Sequence, residues 1–118
     1  MLGRTATGVS FDSIEDGESI SIEEMFSSDE QTFMLEVGDD SMTGDHICKG
    51  DLVVLHRTEK PDEGRIVAAL LENGEVVLRR FYHENDRILL QSSNNLYNPI
   101  RLGDVKIQGV VKGVIRKI

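Results

Sequence analysis

The sequence predicts a mainly antiparallel β domain with at most one or two short helices, and three observations carry that expectation. Short apolar runs rich in Val, Ile and Leu recur from Thr32 to the C-terminus, separated by Gly, Pro and Asn turn signals. Asn73-Gly74 stands between two of those runs, the sharpest hairpin signal in the chain. Aromatic residues make up only 5% of the chain and tryptophan is absent, so the core must be built mainly of branched aliphatics, which favour strands.

Residues 1–31 read as an arm ahead of the folded unit, which occupies residues 32–118. The arm carries small residues at Thr5-Ala6-Thr7-Gly8 and then an acidic, serine-rich passage with Asp12, Glu15, Asp16, Glu18, Glu23 and Glu24. Ile14, Ile20, Ile22, Met25 and Phe26 are spaced so that the arm can dock on the domain, and Ser27-Ser28-Asp29-Glu30 can cap a short turn.

Thr32 to Val37 is the first strand, followed by the turn Gly38-Asp39-Asp40-Ser41-Met42-Thr43. The run Asp51-Leu52-Val53-Val54-Leu55-His56 is the second, entered through Lys49-Gly50. Pro61 and Gly64 frame a loop. Arg65 to Leu71 is almost continuously apolar, as in a strand covered on both faces, although periodicity alone does not separate it from a short buried helix. Asn73-Gly74 offers two positive-φ positions for a tight turn into Val76-Val77-Leu78-Arg79-Arg80-Phe81. A second hairpin turns at Glu84-Asn85-Asp86 into Arg87 to Gln91. After a loop with Asn94, Asn95 and Pro99, the chain ends in Val105 to Arg116, a long strand bent at its glycines. This last strand is expected to present an edge through which two copies pair as a homodimer.

Composition excludes several classes. A chain of 118 residues fits one domain. A net charge of −8 argues against a direct grip on nucleic acid, so any DNA contact must come from elsewhere. The single Cys48 excludes an internal disulfide, fits a reducing cytoplasm, and reads as a small buried apolar residue. No run approaches the roughly 20 apolar residues of a membrane helix. His46, His56 and His83 are scattered and share no zinc-ligand spacing, no local signature supports a Ser-His-Asp triad, and no glycine loop cradles phosphate, so neither metal nor cofactor is expected.

What remains is the serine turn. Alone, Ser41-Met42-Thr43-Gly44-Asp45 would be a turn or helix cap in most proteins. Its surroundings say more. The run FMLEVGDDSMTGDHICKGD, followed by LVVLH, an apolar strand, a basic hairpin strand, LLQSSNNLYNPI and a terminal GVVKGVIRKI, resembles the C-terminal domain of LexA-type repressors. UmuD-type polymerase subunits, phage repressors and, more distantly, signal peptidases are related.

The resemblance implies a self-cleaving Ser-Lys peptidase domain of an SOS transcriptional repressor in the DNA-damage response, with a RecA filament promoting the reactive conformation. It implies Ser41 as nucleophile, the backbone N–H groups of Asp40 and Ser41 as oxyanion donors, and Thr7-Gly8 as the scissile bond. DNA would be bound only through an N-terminal domain absent from this chain.

The chain departs from that pattern. The family's general-base lysine falls at Arg79, which stays protonated and offers no acceptor lone pair. Losing such a partner costs on the order of 10⁴ in rate. The family's glycine two residues before the serine falls at Asp39, and Thr7 is β-branched where alanine is usual. A buried Arg79 needs a counter-charge, so its guanidinium is expected to pair directly with Asp39 or Asp40. Whether the domain cuts itself is therefore left open, beside a second reading as a non-catalytic UmuD-like polymerase accessory subunit or locked dimerisation module. A trans-acting signal peptidase is a third reading, disfavoured because no run is long and apolar enough for a membrane anchor.

Overall fold

The computed structural model describes residues 31–118. The expected arm, with Thr7 and Gly8, lies outside the described residues except for Gln31. The described chain forms seven strands: β1 (Thr32–Glu36), β2 (Leu52–Arg57), β3 (Ile66–Leu70), β4 (Val76–Glu84), β5 (Arg87–Gln91), β6 (Ile100–Leu102) and β7 (Lys106–Ile115). A single 3-10 turn, Thr43–Asp45, follows Ser41. All seven strands join one antiparallel sheet in the order β1-β2-β7-β3-β4-β5-β6. The predicted β class is the observed one.

The near-continuous apolar run at β3 has a simple cause. Successive strand residues point to opposite faces, and here both faces are covered. Ala68 and Leu70 join a core with Leu35, Met42, Ile47 and Leu55. Val67 and Ala69 join a second core with Phe81, Leu90, Ile107 and Val110. A strand covered on both faces has no solvent-facing side for alternating polar residues.

Two expectations need correction. Asn73 does not take a positive φ; only Gly74 does, at 89°. The Gly74 N–H donates to Leu71 O at 3.0 Å and the Leu71 N–H to Glu75 O at 2.8 Å, which makes a longer hairpin loop closed by one left-handed glycine. Asn73 instead uses its side chain, accepting the Glu75 N–H at 2.9 Å. The second hairpin turns as expected, at Asn85 with φ 57°.

The larger correction concerns the last strand. β7 is not an edge strand. It is inserted between β2 and β3, pairing with β2 from Gly109 to Ile115 and with β3 from Lys106 to Val110. Among the described residues the sheet edges are β1 and β6, and only the part of β7 beyond Val110 lacks a β3 partner. The expected bends at glycine appear as two bulges: Lys112 is skipped in the pairing with β2 and Gln108 in the pairing with β3, each next to Gly113 or Gly109. A Cβ at Gly109 would lie 2.7 Å from His56 O and 2.9 Å from the Phe33 ring, so this crossing of backbones requires glycine. Cys48 is a free thiol, half-buried and not in the core.

Candidate functional site

β1 continues as paired backbone to Val37, whose N–H donates to Asp51 O at 2.8 Å and whose carbonyl accepts from Gly50 at 2.9 Å. The chain then leaves the sheet at Gly38 and is pulled back by Met42, which is 1% exposed and packs in the first core. That anchor carries Ser41 inward with it, to 1% exposure. The segment after β5 fixes the turn from the other side. Ser41 O accepts from Ser93 N–H at 3.1 Å and from the Ser92 hydroxyl, and the Asn94 side-chain amide donates to Asp40 O at 2.9 Å. Gly44 allows this approach, because a Cβ there would stand 2.2 Å from Ser93 O.

β4 supplies the opposite wall. Arg80 pairs with Asp45 at 2.7 Å and donates to Gly64 O, tying the strand to the 3-10 turn, and the Asp45 carboxylate raises the Arg80 pKa. Its neighbour Arg79 is thereby held against Ser41, buried to 5% exposure. Arg79 Nη1 donates to Ser41 Oγ at 2.8 Å and to Leu78 O at 2.8 Å. The guanidinium carbon lies 5.6 Å from the centroid of the Tyr97 ring. Its Nε is buried without a partner. Burial pushes the Arg79 pKa down, opposed chiefly by the charge of Asp39, and an arginine so shifted still carries its proton near neutrality.

The direct ion pair expected between Arg79 and Asp39 or Asp40 does not form. The Ser41 hydroxyl stands between the charges: it accepts from Arg79 and donates to Asp39 Oδ1 at 2.6 Å. The same carboxylate oxygen accepts the Ser41 N–H at 3.0 Å. The Asp40 N–H reaches the Tyr97 hydroxyl at 3.4 Å. Both backbone donors expected to hold an oxyanion are therefore engaged within the chain.

A cavity of about 150 Å³ opens beside Asp39, between the segment Leu35 to Asp39 and the segment Glu75 to Leu78, with Glu36, Asp39 and Glu75 on its walls. A larger one of about 860 Å³, between Leu70 to Asn73 and Ile100 to Lys106, touches neither Ser41 nor Arg79. Among the described residues no cluster of His, Cys, Asp and Glu has the makings of a metal site. His46, His56 and His83 are exposed, and His83 pairs with Glu63 at 2.5 Å, so no histidine serves Ser41.

Sequence reasoning placed Ser41, Asp40 and Arg79 in one site, and the fold brings them together. It missed Ser92, Ser93, Asn94 and Tyr97 as the supports of the turn. Their signal was present as a polar cluster in LLQSSNNLYNPI, an unusual density of hydrogen-bonding side chains between two strands.

The Peptidase S24-like family matches residues 1–112. The LexA repressor of Koribacter versatilis (strain Ellin345) is 42% identical over 118 residues, covering 98% of this chain and 56% of that protein. The LexA repressors of Desulforamulus reducens and Pelotomaculum thermopropionicum are each 42% identical over 119 residues, covering all of this chain and 55% and 58% of their own lengths. The chain thus spans a little over half the length of the curated relatives it matches.

Proposed function

The chain belongs to the Peptidase S24-like family, and from that premise we propose that it is the regulatory C-terminal domain of a LexA-like SOS repressor, with a self-cleavage reaction slowed at its catalytic site. Ser41 is the nucleophile and Thr7-Gly8 the bond cut. DNA is bound by a further domain of the repressor, and a RecA filament favours the reactive conformation. The protein works in the cytoplasm as a homodimer joined through the last part of β7, whose residues beyond Val110 have no β3 partner among the described residues and include the exposed Val114.

The observation that carries this reading is the 2.8 Å contact between Ser41 Oγ and Arg79 Nη1, at the position where the family's base would sit. An arginine there keeps the polarity of the site but cannot take the serine proton. Cleavage must then rely on hydroxide and rises with pH.

Incubating the purified chain from neutral pH to about pH 10 and following its mass tests the proposal. Slow scission between Thr7 and Gly8, faster at alkaline pH and abolished in S41A, is the expected result. Rapid scission at neutral pH, or a cut elsewhere that survives S41A, contradicts it. The engaged oxyanion donors favour one second reading, a UmuD-like accessory subunit or locked dimerisation module that never cuts. Retention by an immobilised RecA filament supports the repressor, and retention by a DNA polymerase alone supports the accessory subunit.

A further inference from the structure

The site holds a group that the missing lysine does not account for. Asp39 Oδ1 takes both donors of Ser41, the hydroxyl at 2.6 Å and the backbone N–H at 3.0 Å. An attacking serine needs both for other purposes: the hydroxyl proton must leave toward a base, and the N–H must meet the oxygen on which negative charge develops. We propose that Asp39 is an inhibitory positioning residue, its carboxylate occupying the oxyanion site of Ser41, so that positions 39 and 79 together keep the serine at rest. This rests on the reading of Ser41 as the family's nucleophile, but not on Thr7-Gly8 being its substrate.

Each contact has a consequence. A carboxylate on the Ser41 N–H excludes a carbonyl oxygen from that donor, and it places a fixed negative charge where a second one has to form. The hydroxyl cannot turn its proton elsewhere, because Arg79 Nη1 already donates to its oxygen at 2.8 Å. Asp39 also acts on whatever base stands at position 79. A carboxylate this close favours the charged form of an amine, which is the wrong form for a base. Restoring lysine alone thus exchanges one cation bridged through Ser41 for another, and removing the carboxylate lets burial neutralise it. The opposite role, Asp39 as the proton acceptor of Ser41, requires the same oxygen to stay on the Ser41 N–H during attack and predicts the reverse outcome for its removal.

The test uses the whole chain and a fluorophosphonate probe, with adduct formation at Ser41 followed by mass. In this reaction the Ser41 Oγ–P bond forms, fluoride leaves, and the serine proton passes to the neutral amine or to hydroxide. The proteins compared are the unaltered chain, R79K, D39G/R79K and D39N/R79K, with S41A as the blank. R79K alone is expected to fall well short of a restored dyad, because Asp39 holds its lysine charged and keeps the Ser41 N–H. D39G/R79K is expected to react at least about 10²-fold faster than R79K, the worth of one oxyanion donor alone, with the freed base adding to it. D39N/R79K falls between, since the amide keeps an acceptor for the turn but loses the charge.

A rate for R79K equal to that of D39G/R79K overturns the proposal and makes Asp39 a passive turn cap. A rate for D39G/R79K below that of R79K overturns it in the other direction and makes Asp39 the base. If thermal melting shows D39G/R79K unfolded, D39N/R79K against R79K decides on the same terms. Faster labelling of D39G/R79K with Thr7-Gly8 left intact supports the role of Asp39 while refuting self-cleavage at that bond.

Discussion

Two aspartates in this domain sit in neighbouring turns, one beside a buried arginine and one beside an exposed arginine, and they are used in opposite ways. Asp51 caps the turn before β2, accepting the Cys48 N–H at 2.8 Å, and its carboxylate grips Arg116 directly through Nε at 2.8 Å and Nη2 at 2.7 Å. Arg116 also donates to His46 O at 2.9 Å. Asp39 caps the turn after β1, but its arginine is reached only through the Ser41 hydroxyl, and Arg79 keeps a buried Nε without a partner. The first arrangement satisfies its groups and ties the C-terminal end of β7 to the Lys49-Gly50 turn. The second leaves a polar atom unpaired in a site only Ser41 explains, and local rules are broken at functional sites more often than elsewhere.

The comparison can be broken from either side. The largest effect on stability is expected for G44A, whose Cβ would meet the Ser93 backbone. It should cost about 1–3 kcal/mol in urea unfolding by pushing the support away from the Ser41 turn, and leave the Asp51 turn intact. D51N should cost a similar or smaller amount, about 1–2 kcal/mol for a weakened charged hydrogen bond at a nearly buried carboxylate.

D51N also carries a pH signature. The hydrogen bonds and charge of Arg116 hold the Asp51 carboxyl below its ordinary value, with desolvation opposing. A folded pKa lowered in this way contributes stability that is present above the unfolded value, about pH 4, and is lost as the pH falls through the folded value. The difference in stability between the unaltered chain and D51N should therefore shrink on acidification below about pH 4. The smallest effect is expected at Arg79. R79M should leave the unfolding midpoint unchanged or raised, because a buried cation with an unpartnered Nε gives way to an apolar side chain, while R116M lowers it.

Much of the fold was legible because each strand is a short apolar run closed by a turn residue with a local reason to be there, as at Gly74 and Asn85. The order of the strands was not, since the insertion of β7 between β2 and β3 depends on pairings between residues far apart in the chain, such as Leu55 with Val111. Edge and centre look alike in such a run. At the site, Ser41 stood out through its ordered surroundings, and Arg79 by counting from the hairpin. The role of Asp39 was not legible. Charge counting favours a direct pair with Arg79, whereas the turn geometry delivers both Ser41 donors to the carboxylate first.

Under the proposed function, Ser41 is a family nucleophile held at rest by the residues at 79 and 39. The most direct measurement is the mass of the unaltered chain and of D39G/R79K after the same incubation at neutral pH. An intact unaltered chain and a variant cut between Thr7 and Gly8 are the expected result. Scission of the unaltered chain at a rate equal to the variant's would contradict it.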